Sequence, residues 1–315
     1  MEKLKILLIG LGNMGKIHKR ILENNFQVEI VGIVEKDKTK HKEVSKYKFY
    51  KDISEINFEE LIIDGAVVST NTDSHYKIAK LLIEKNIPVF VEKPLTTSKK
   101  EFNKITKLAK ENSSVLRCGL IEIYNPMFKY LKNLNIKNIY NIHIFRESQK
   151  MKERKLDNIL FDLTLHDFSV LVHLFGKKDI EIISINSRSD IKKIECIDVS
   201  IKINNIPILI STSRESQNKI RNWKILAKNK QYDVDLINKN IEIFSSGSAS
   251  LEGDQLVKNR SSKSNVSFIN SEETGKLQMG SFINNINSKK LDMNHFNLVV
   301  DTHEFIFNLM KKVNG

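Results

Sequence analysis

Long apolar runs, paired cysteines and arginine-rich stripes are all missing from this sequence. Because no run of about 18 apolar residues occurs, we expect no transmembrane helix. Cys118 and Cys196 lie far apart and lack the spacing of a metal site, so we expect no metal and a reducing, cytoplasmic location. The charged start Glu2-Lys3 leads directly into an apolar segment, so we also expect no secretory signal peptide.

The net charge of +13 would suit a nucleic-acid-binding protein, but the lack of an arginine-rich arm argues against that class. Lysines are spread over the whole chain and alternate with acidic residues. We attribute their excess to genome composition and expect no nucleic-acid partner and no membrane. A positive field can also speed the capture of an anionic substrate, and this remains open as a by-product of the same charge.

The pattern of apolar segments predicts the fold class of the first third of the chain. At 315 residues the chain is long enough for two domains, and 40% apolar with 28% charged residues is typical of a soluble globular protein. Apolar runs at 4–9, 28–34, 65–69, 88–91 and 115–120 alternate with helical patterns. Such alternation predicts an α/β fold with a doubly wound parallel sheet.

A glycine-rich turn joins the first predicted strand to the first predicted helix. It contains Gly10, Gly12 and Gly15, a G-x-G-x-x-G pattern in the strand–turn–helix context that the pattern requires. The first glycine allows the tight turn, the second lets the main chain approach a pyrophosphate, and the third lets the helix pack on the strand. Since the helix N-terminus favours phosphate charge, we assign this turn, with Asn13 and Met14, to a dinucleotide cofactor.

An acidic residue stands where a dinucleotide-binding unit places its ribose ligand. Glu35 ends the second predicted strand, roughly 20 residues beyond the last glycine. A carboxylate there repels the 2′-phosphate of NADP, so we predict NAD as the cofactor, without excluding NADP because Lys36 follows. Glu35 alone would also fit a solvated strand end.

Loops at the carboxyl ends of the other predicted strands should line the same crevice. They contribute Thr70, Asn71 and Glu92. His75 opens the helix after Thr70 and could either contact the cofactor or cap and pack. His18, on the first helix, is typical of a packing or surface residue.

The triplet Glu92-Lys93-Pro94 follows directly on the predicted strand 88–91. A lysine at this end of a strand can meet a substrate as a cation, and the proline stiffens the turn. Taken alone, the triplet also fits an ordinary surface turn.

The second half carries one candidate acid–base pair, Asp162 and His166, on a predicted helix that stops at Gly176. Residues four apart share one face of a helix. An imidazole can move a proton near neutral pH, and a carboxylate can fix its orientation. The same spacing is also typical of a surface ion pair, and we interpret His173 on this helix in that way.

Beyond the first third, strand-like runs predict a second sheet, at 140–146, 180–187, 197–203, 206–213, 224–227 and 241–244. The stretch 245–271 is rich in Ser, Asn and Gly and predicts an exposed loop. The last predicted helix carries an apolar stripe formed by Leu298, Val299, Thr302, Phe305, Ile306, Leu309 and Val313.

The glycine turn, Glu92-Lys93-Pro94 and Asp162-x-x-x-His166-Asp167, in this order, resemble the Gfo/Idh/MocA oxidoreductase family over nearly the whole chain. Asn125-Pro126 matches the family element that opens its second domain. The resemblance implies an N-terminal Rossmann domain at 1–121 and a C-terminal α+β domain with a large, mostly antiparallel open sheet at 122–290. It further implies a C-terminal helix at 291–315 that packs back on the first domain, a homodimer or homotetramer, and a cis bond before Pro94.

The resemblance also implies an activity, an NAD(P)-dependent dehydrogenase that moves a hydride between a sugar hydroxyl carbon and nicotinamide. His166 would be the general base and Asp162 would orient it or relay its proton. Lys93 would stabilise the reacting oxygen and, with Glu92 and His75, contact the cofactor. The segment from Asp162 looks closest to family members of the UDP-N-acetylglucosamine 3-dehydrogenase type, so a nucleotide sugar is the expected substrate.

Substrate contacts are expected from Tyr124, Asn125 and Arg154, although 152–155 also fits a solvated charge run. Three residues depart from the family pattern: Ile123 where many relatives have arginine, Asn71 in place of proline, and Asn158 in place of glycine. Two other functions also stay open. One is a dehydrogenase of a free sugar or inositol, and the other is a non-catalytic dinucleotide-binding sensor, which would not need Lys93, Asp162 and His166.

Overall fold

A computed structural model describes residues 2–40, 45–149, 158–177, 179–190, 193–247, 249–252, 255–258, 261–268 and 273–314. The chain forms two compact units. Unit 1 comprises Met1–Tyr124 and Glu272–Phe307, and unit 2 comprises Asn125–Ser271 and Asn308–Gly315. Within the described ranges, no helix has both the length and the apolar character needed to cross a membrane.

The helices of the described residues are α1 (Asn13–Glu23), α2 (Thr72–Glu84), α3 (Lys99–Glu111), α4 (Pro126–Leu131), α5 (Leu165–Phe175), α6 (Thr274–Ser288) and α7 (Met293–Asn314). Ser98 starts α3 as a side-chain cap, since its hydroxyl accepts the Glu101 amide. Asn125 does the same for α4 by accepting the Met127 amide, and Pro126 fits the first helical position, where no amide is needed.

Unit 1 contains a parallel sheet with the strand order β3-β2-β1-β4-β5-β6. Its strands are β1 (Leu4–Ile9), β2 (Val28–Val34), β3 (Phe49–Tyr50), β4 (Gly65–Val68), β5 (Val89–Val91) and β6 (Leu116–Cys118). All five strand pairs are parallel. This is the predicted doubly wound sheet, and its order reverses between β1 and β4, where such sheets bind ligands.

Helix α6 completes the core of unit 1 although it comes late in the chain. Met279, Phe282, Ile283 and Ile286 are buried in one cluster with residues of β1, β2, β4, β5 and α1. Gly65 of β4 makes room for this helix, because a Cβ atom there would lie 2.6 Å from Ile286 Cδ1. The predicted second domain, 122–290, included α6. The boundaries of the predicted domains stay predictions.

Unit 2 is built on a large sheet with the order β16-β13-β12-β11-β7-β10-β9-β8. Its strands are β7 (Ile139–Gln149), β8 (Ile180–Asp190), β9 (Lys193–Ile203), β10 (Ile206–Ser213), β11 (Glu215–Ala227), β12 (Lys230–Asp235), β13 (Asn240–Ser245) and β16 (Ser262–Ser267). Only β7 and β10 pair in parallel among them. The expected large, mostly antiparallel sheet is confirmed.

The prediction of an exposed loop at 245–271 was wrong in part. β14 (Ala249–Glu252) and β15 (Gln255–Lys258) pair in a small two-stranded antiparallel sheet, and β16 extends the large sheet by pairing with β13. Most of β16 is exposed, so its sequence carries no apolar alternation. Its ladder is made by main-chain groups, which composition does not reveal.

The segment before α5 is a single π-helical turn, Leu160–Thr164. Asn158, which departs from the family glycine, caps this turn because its Oδ1 accepts the Leu160 amide at 2.9 Å. α5 then ends at Gly176, as predicted, in the left-handed region with φ 78°. The π turn places one extra residue in the helix, so the simple four-residue spacing of Asp162 and His166 no longer fixes a shared face.

Candidate active site

The glycine turn of unit 1 requires glycine at two of its three positions. Gly10 has φ +94°, and a Cβ atom there would lie 2.7 Å from the Ser69 carbonyl oxygen at the end of β4. A Cβ atom at Gly15 would lie 2.0 Å from the Gly10 carbonyl oxygen. These close approaches bring the start of α1 against the end of β1 and β4.

The N-terminus of α1 is open to a ligand. Gly12 caps the helix without any side-chain hydrogen bond, and a Cβ atom there would meet nothing within 4 Å. Asn13 is exposed and Met14 half-buried. The first amides of a helix need acceptors, and here space is left for a phosphate to supply them. The residues present therefore fit the diphosphate of a dinucleotide.

Glu35 lies beside the glycine turn. Its Oε2 accepts the Leu11 amide at 2.6 Å and its Oε1 accepts the Asp37 amide at 3.0 Å. Burial raises the pKa of Glu35, but these two amides and the Lys40 ammonium at 3.3 Å outweigh burial and hold the pKa below its usual value. Glu35 is thus a carboxylate near neutral pH, as a ribose ligand that disfavours a 2′-phosphate requires.

The loop after β4 lies against the glycine turn. Ser69 donates its hydroxyl to the Gly10 carbonyl at 3.0 Å, and Thr70 Oγ1 accepts the Ser74 hydroxyl at 2.7 Å. Asn71 is the exposed N-cap of α2, with no cap bond from its side chain. Thr70 and Asn71 therefore lie at the predicted carboxyl edge of the sheet.

His75 is buried and ties two loops together. Its Nδ1 lies 2.9 Å from the Pro94 carbonyl and its Nε2 lies 3.1 Å from the Thr70 carbonyl. Both ring nitrogens thus face main-chain oxygens. Of the two alternatives left open by the sequence, this geometry supports the packing function, and the predicted cofactor contact remains a prediction.

The Glu92-Lys93-Pro94 turn follows β5 at the same edge of the sheet. The bond between Lys93 and Pro94 is cis, as the family resemblance implied. Lys93 is half-buried and Glu92 is buried. The turn is supported from α7, since His303 Nε2 accepts the Leu95 amide at 3.0 Å and its ring stacks on Phe102.

Tyr124 belongs to a polar cluster around Arg117 of β6. Arg117 donates to the Tyr124 hydroxyl, to Asn285 Oδ1 of α6, and to Asp292 Oδ2 at 2.9 Å. This buried arginine was not singled out from the sequence, because its partners lie up to 175 residues away. The hydroxyl of Tyr124, a predicted substrate contact, is therefore engaged within unit 1.

In unit 2, Asn125 is buried and caps α4 through its Oδ1, which accepts the Met127 amide at 3.2 Å. Its predicted substrate contact stays a prediction. Arg154, the third predicted substrate contact, lies outside the described residues.

Asp162, in the π turn, is paired with an arginine that sequence reasoning missed. Arg214, which follows β10, donates from Nη2 to Asp162 Oδ2 at 2.7 Å. Its Nη1 lies 3.8 Å from Glu195 Oε2 of β9. The arginine side chain is only 4% exposed, so the cation is held between two carboxylates. No sequence signal pointed to Arg214, since Asp162 is 52 residues away.

His166 is the second residue of α5, four residues after Asp162, and is half-buried. The next residue, Asp167, is a core residue: Arg146 donates to both of its carboxylate oxygens, and Trp223 Nε1 donates to Oδ1 at 3.1 Å. This buried cluster anchors α5 to β7 and β11. It therefore fixes the position of the first turn of α5, where His166 lies.

Comparisons with known proteins relate this chain to a family of enzymes. Residues 4–120 match the model of the Gfo/Idh/MocA oxidoreductase family, NAD-binding Rossmann fold. UDP-N-acetylglucosamine 3-dehydrogenase of Acidithiobacillus ferrooxidans is 21% identical over 251 residues, 78% of each chain. Myo-inositol 2-dehydrogenase of Thermotoga maritima is 26% identical over 188 residues, so that match spans 56% of each chain.

Among solved structures, a dehydrogenase (MviM) from Clostridium difficile shares the fold. The two structures have a TM-score of 0.81 at 21% identity, covering 99% of this chain and 100% of that one. The family match falls on the part of the chain that holds the glycine turn, Glu35 and the lysine turn. Residues 4–120 therefore form an NAD-binding Rossmann domain of the Gfo/Idh/MocA oxidoreductase family.

Proposed function

We propose that this oxidoreductase transfers a hydride between a hydroxyl-bearing carbon of a sugar, in particular of a nucleotide sugar, and a nicotinamide cofactor. The observation that carries the proposal is the Lys93 turn, a cation after β5 at the carboxyl edge of a sheet whose glycine turn and Glu35 fit a dinucleotide. A cation here suits an oxygen that gains negative charge during the reaction.

Three side chains act during the reaction of the substrate. The bound cofactor supplies the hydride acceptor. His166 takes the hydroxyl proton as general base, and Lys93 donates a hydrogen bond to the same oxygen. Asp162 orients the imidazole of His166.

The pairing of Asp162 with Arg214 supports orientation over proton relay. A buried guanidinium 2.7 Å from a carboxylate favours the ionised form of that carboxylate. A carboxylate stabilised in this way is a poor proton acceptor and a good fixed hydrogen-bond acceptor. Asp162 therefore acts on His166 mainly through position and charge.

A nucleotide sugar is the proposed substrate class for two reasons. The relative from Acidithiobacillus ferrooxidans, which is named for UDP-N-acetylglucosamine, matches over 78% of each chain. The relative from Thermotoga maritima, which is named for myo-inositol, matches over 56% of each chain. Tyr124, Asn125 and Arg154 are proposed to contact the substrate, with Arg154 supplying charge for the diphosphate.

The test is turnover by the purified protein with NAD or NADP. UDP-N-acetylglucosamine, N-acetylglucosamine and myo-inositol are supplied in turn, and formation of the reduced cofactor is followed by absorbance. We expect turnover of the nucleotide sugar and inhibition by UDP. Turnover of myo-inositol without UDP inhibition would favour the inositol function instead.

Two variants test the residue roles. Lys93→Met and His166→Asn should each lower kcat by about a hundredfold or more, since each removes a group that acts on the reacting oxygen. Lys107→Met, at an exposed lysine of α3, and His173→Asn, on the same helix as His166, are the matched controls and should retain parent activity. If both site variants stayed as active as the controls, the proposed mechanism would be wrong.

Absence of turnover on every substrate, with NAD still bound, would favour a sensor function.

We also propose a cytoplasmic homo-oligomer formed through the open face of the large sheet, where Phe145 of β7 and Leu209 of β10 are apolar and only half-buried. Light scattering of the purified protein measures the oligomeric state, and a monomer would refute this part.

A further inference from the structure

His18 of α1 is a buried histidine whose hydrogen bonding in the described residues depends on one carboxylate. The residue is 1% exposed and its ring meets the ring of Phe90 edge-on at 5.3 Å between centroids. Its Nε2 lies 2.7 Å from Glu92 Oε1, and within the described residues its Nδ1 has no hydrogen-bond partner. An apolar side chain would fill this space without the cost of burying two ring nitrogens.

The carboxylate of Glu92 contacts both His18 and the main chain of Lys93. Its second oxygen, Oε2, accepts the Lys93 main-chain amide at 3.2 Å. The carboxylate has little freedom to move, because a Cβ atom at Gly119 would lie 2.8 Å from Oε2. The side chain of Glu92 is thus held by His18 on one side and by the chain after β6 on the other, with the Lys93 amide bound to it.

We propose that His18 is a positioning residue: through Glu92 it fixes the main chain at Lys93 and thereby the place of the Lys93 ammonium. The chain of contacts begins on α1, five residues after the first residue of that helix, and ends at the proposed catalytic lysine. It therefore joins the element that starts at the cofactor turn to the element that carries Lys93. The inference rests on the proposed function of Lys93.

The contact also fixes the proton on the imidazole. Since a carboxylate only accepts hydrogen bonds, Nε2 of His18 must carry the proton shared with Glu92. A proton on Nδ1 as well would be a buried donor without an acceptor among the described residues. The structure thus assigns the tautomer with the proton on Nε2.

Two substitutions separate this function from packing. His18→Phe keeps a ring against Phe90 and removes the donor, whereas His18→Gln keeps a donor near the place of Nε2 and removes the ring. His143→Phe, on a half-buried histidine of β7 in unit 2, is the matched control. The measurements are kcat, KM for the substrate, Kd for NADH from its fluorescence, and the thermal midpoint.

We expect His18→Phe to lower kcat about tenfold to a hundredfold, because a misplaced catalytic group costs that much. Kd for NADH should stay within about threefold of the parent value. His18→Gln should recover most of the loss, and His143→Phe should behave like the parent. Parent-like kcat in His18→Phe would overturn the proposal, as would equal losses of kcat and of NADH affinity in both His18 variants.

Two further readouts do not depend on turnover. Hydrogen exchange of the Lys93 amide should be faster in His18→Phe and unchanged in His143→Phe, and nitrogen NMR should find the His18 proton on Nε2. Unchanged Lys93 exchange, or a proton on Nδ1 alone, would refute the proposal. Lys93→Met separates a failure of the proposed function from a failure of the His18 proposal. If Lys93→Met is active, the proposed function of Lys93 is wrong. If Lys93→Met is inactive and His18→Phe is fully active, only the positioning function of His18 is wrong.

Discussion

Glu35 combines two properties at one carboxylate: it accepts the Leu11 amide of the glycine turn, and its pKa lies below the usual range. Its negative charge is therefore present throughout the neutral range. A second negative group, such as the 2′-phosphate of NADP, would be repelled by it.

Replacing this carboxylate should change the preference between cofactors. We expect Glu35→Ser to raise the ratio of kcat/KM for NADP to that for NAD by about tenfold or more, because the repulsion is removed. Steady-state kinetics with both cofactors measures the ratio. Glu29→Ser, at an exposed acid of the same strand, is the control, and an equal shift in that variant would contradict the assignment.

The contacts of single residues show where sequence reasoning stops. The close packing at Gly10 and Gly15 was predictable because the strand–turn–helix pattern itself requires glycine there. His18 and Arg214 were not assigned functions, because their carboxylate partners lie 74 and 52 residues away. Pairing over such distances is decided by the packed fold, which no local pattern records.

Among the elements, α7 supports the lysine turn through a histidine that is buried in its neutral form. Burial lowers the pKa of His303 to about 4, although its bond to the Val299 carbonyl opposes this. As the pH falls, the unfolded chain takes up this proton first. The free energy of unfolding therefore decreases from about pH 6.5 down to about pH 4, by about 3 kcal/mol in total.

Removing this titration should flatten the acid side of the stability curve. We expect His303→Gln to lose stability less steeply than the parent between about pH 6.5 and about pH 4. Urea unfolding at a series of pH values measures the slope, and His143→Gln serves as the control with the parent slope. An unchanged slope in His303→Gln would show that His303 does not titrate in this window.

The π turn and the strand end at Arg214 form a second support, in unit 2. Removing the cation takes the guanidinium contact away from Asp162 and from the buried Glu195. We expect Arg214→Met to lower the free energy of unfolding by about 3–5 kcal/mol and to lower kcat as well. Arg214→Lys, which keeps a charge without the guanidinium fork, should lie between Arg214→Met and the parent.

Urea unfolding and steady-state kinetics measure both effects. The control is Arg188→Met, at an exposed arginine of β8, which should match the parent. An Arg214→Met protein as stable and active as this control would contradict the function given to the pair.

Element prediction succeeded where apolar period and turn chemistry agreed. Five of the six sheet strands of unit 1, all except the two-residue β3, and the end of α5 at Gly176 follow from such signals. β16 and the π turn did not follow, because an exposed edge strand has no apolar alternation and one inserted residue leaves the hydrophobic period almost unchanged.

At the scale of the whole molecule, the core of unit 1 depends on α6. We expect Phe282→Ala to destabilise unit 1 by about 3–5 kcal/mol, because a fully buried ring is removed. Leu277→Ala, at a position of α6 that is 36% exposed, should cost much less. Circular dichroism during urea unfolding, with and without NAD, measures the change.

The chain has one tryptophan, Trp223, which is buried in unit 2. Its fluorescence therefore follows unit 2, and its unfolding midpoint should shift less in Phe282→Ala than the midpoint from circular dichroism. Equal effects of Phe282→Ala and Leu277→Ala would contradict the placement of α6 in the core.

The late return of the chain to unit 1 has a consequence for protein synthesis. The first 124 residues leave the ribosome while the residues that cover one face of their sheet, from Met279 to Ile286, are still untranslated. All of unit 2 up to Ser271 is made in between. The nascent cofactor domain therefore exposes apolar surface for about half of translation. During this time it is exposed to ribosome-associated chaperones, and its maturation waits for the last stage of elongation.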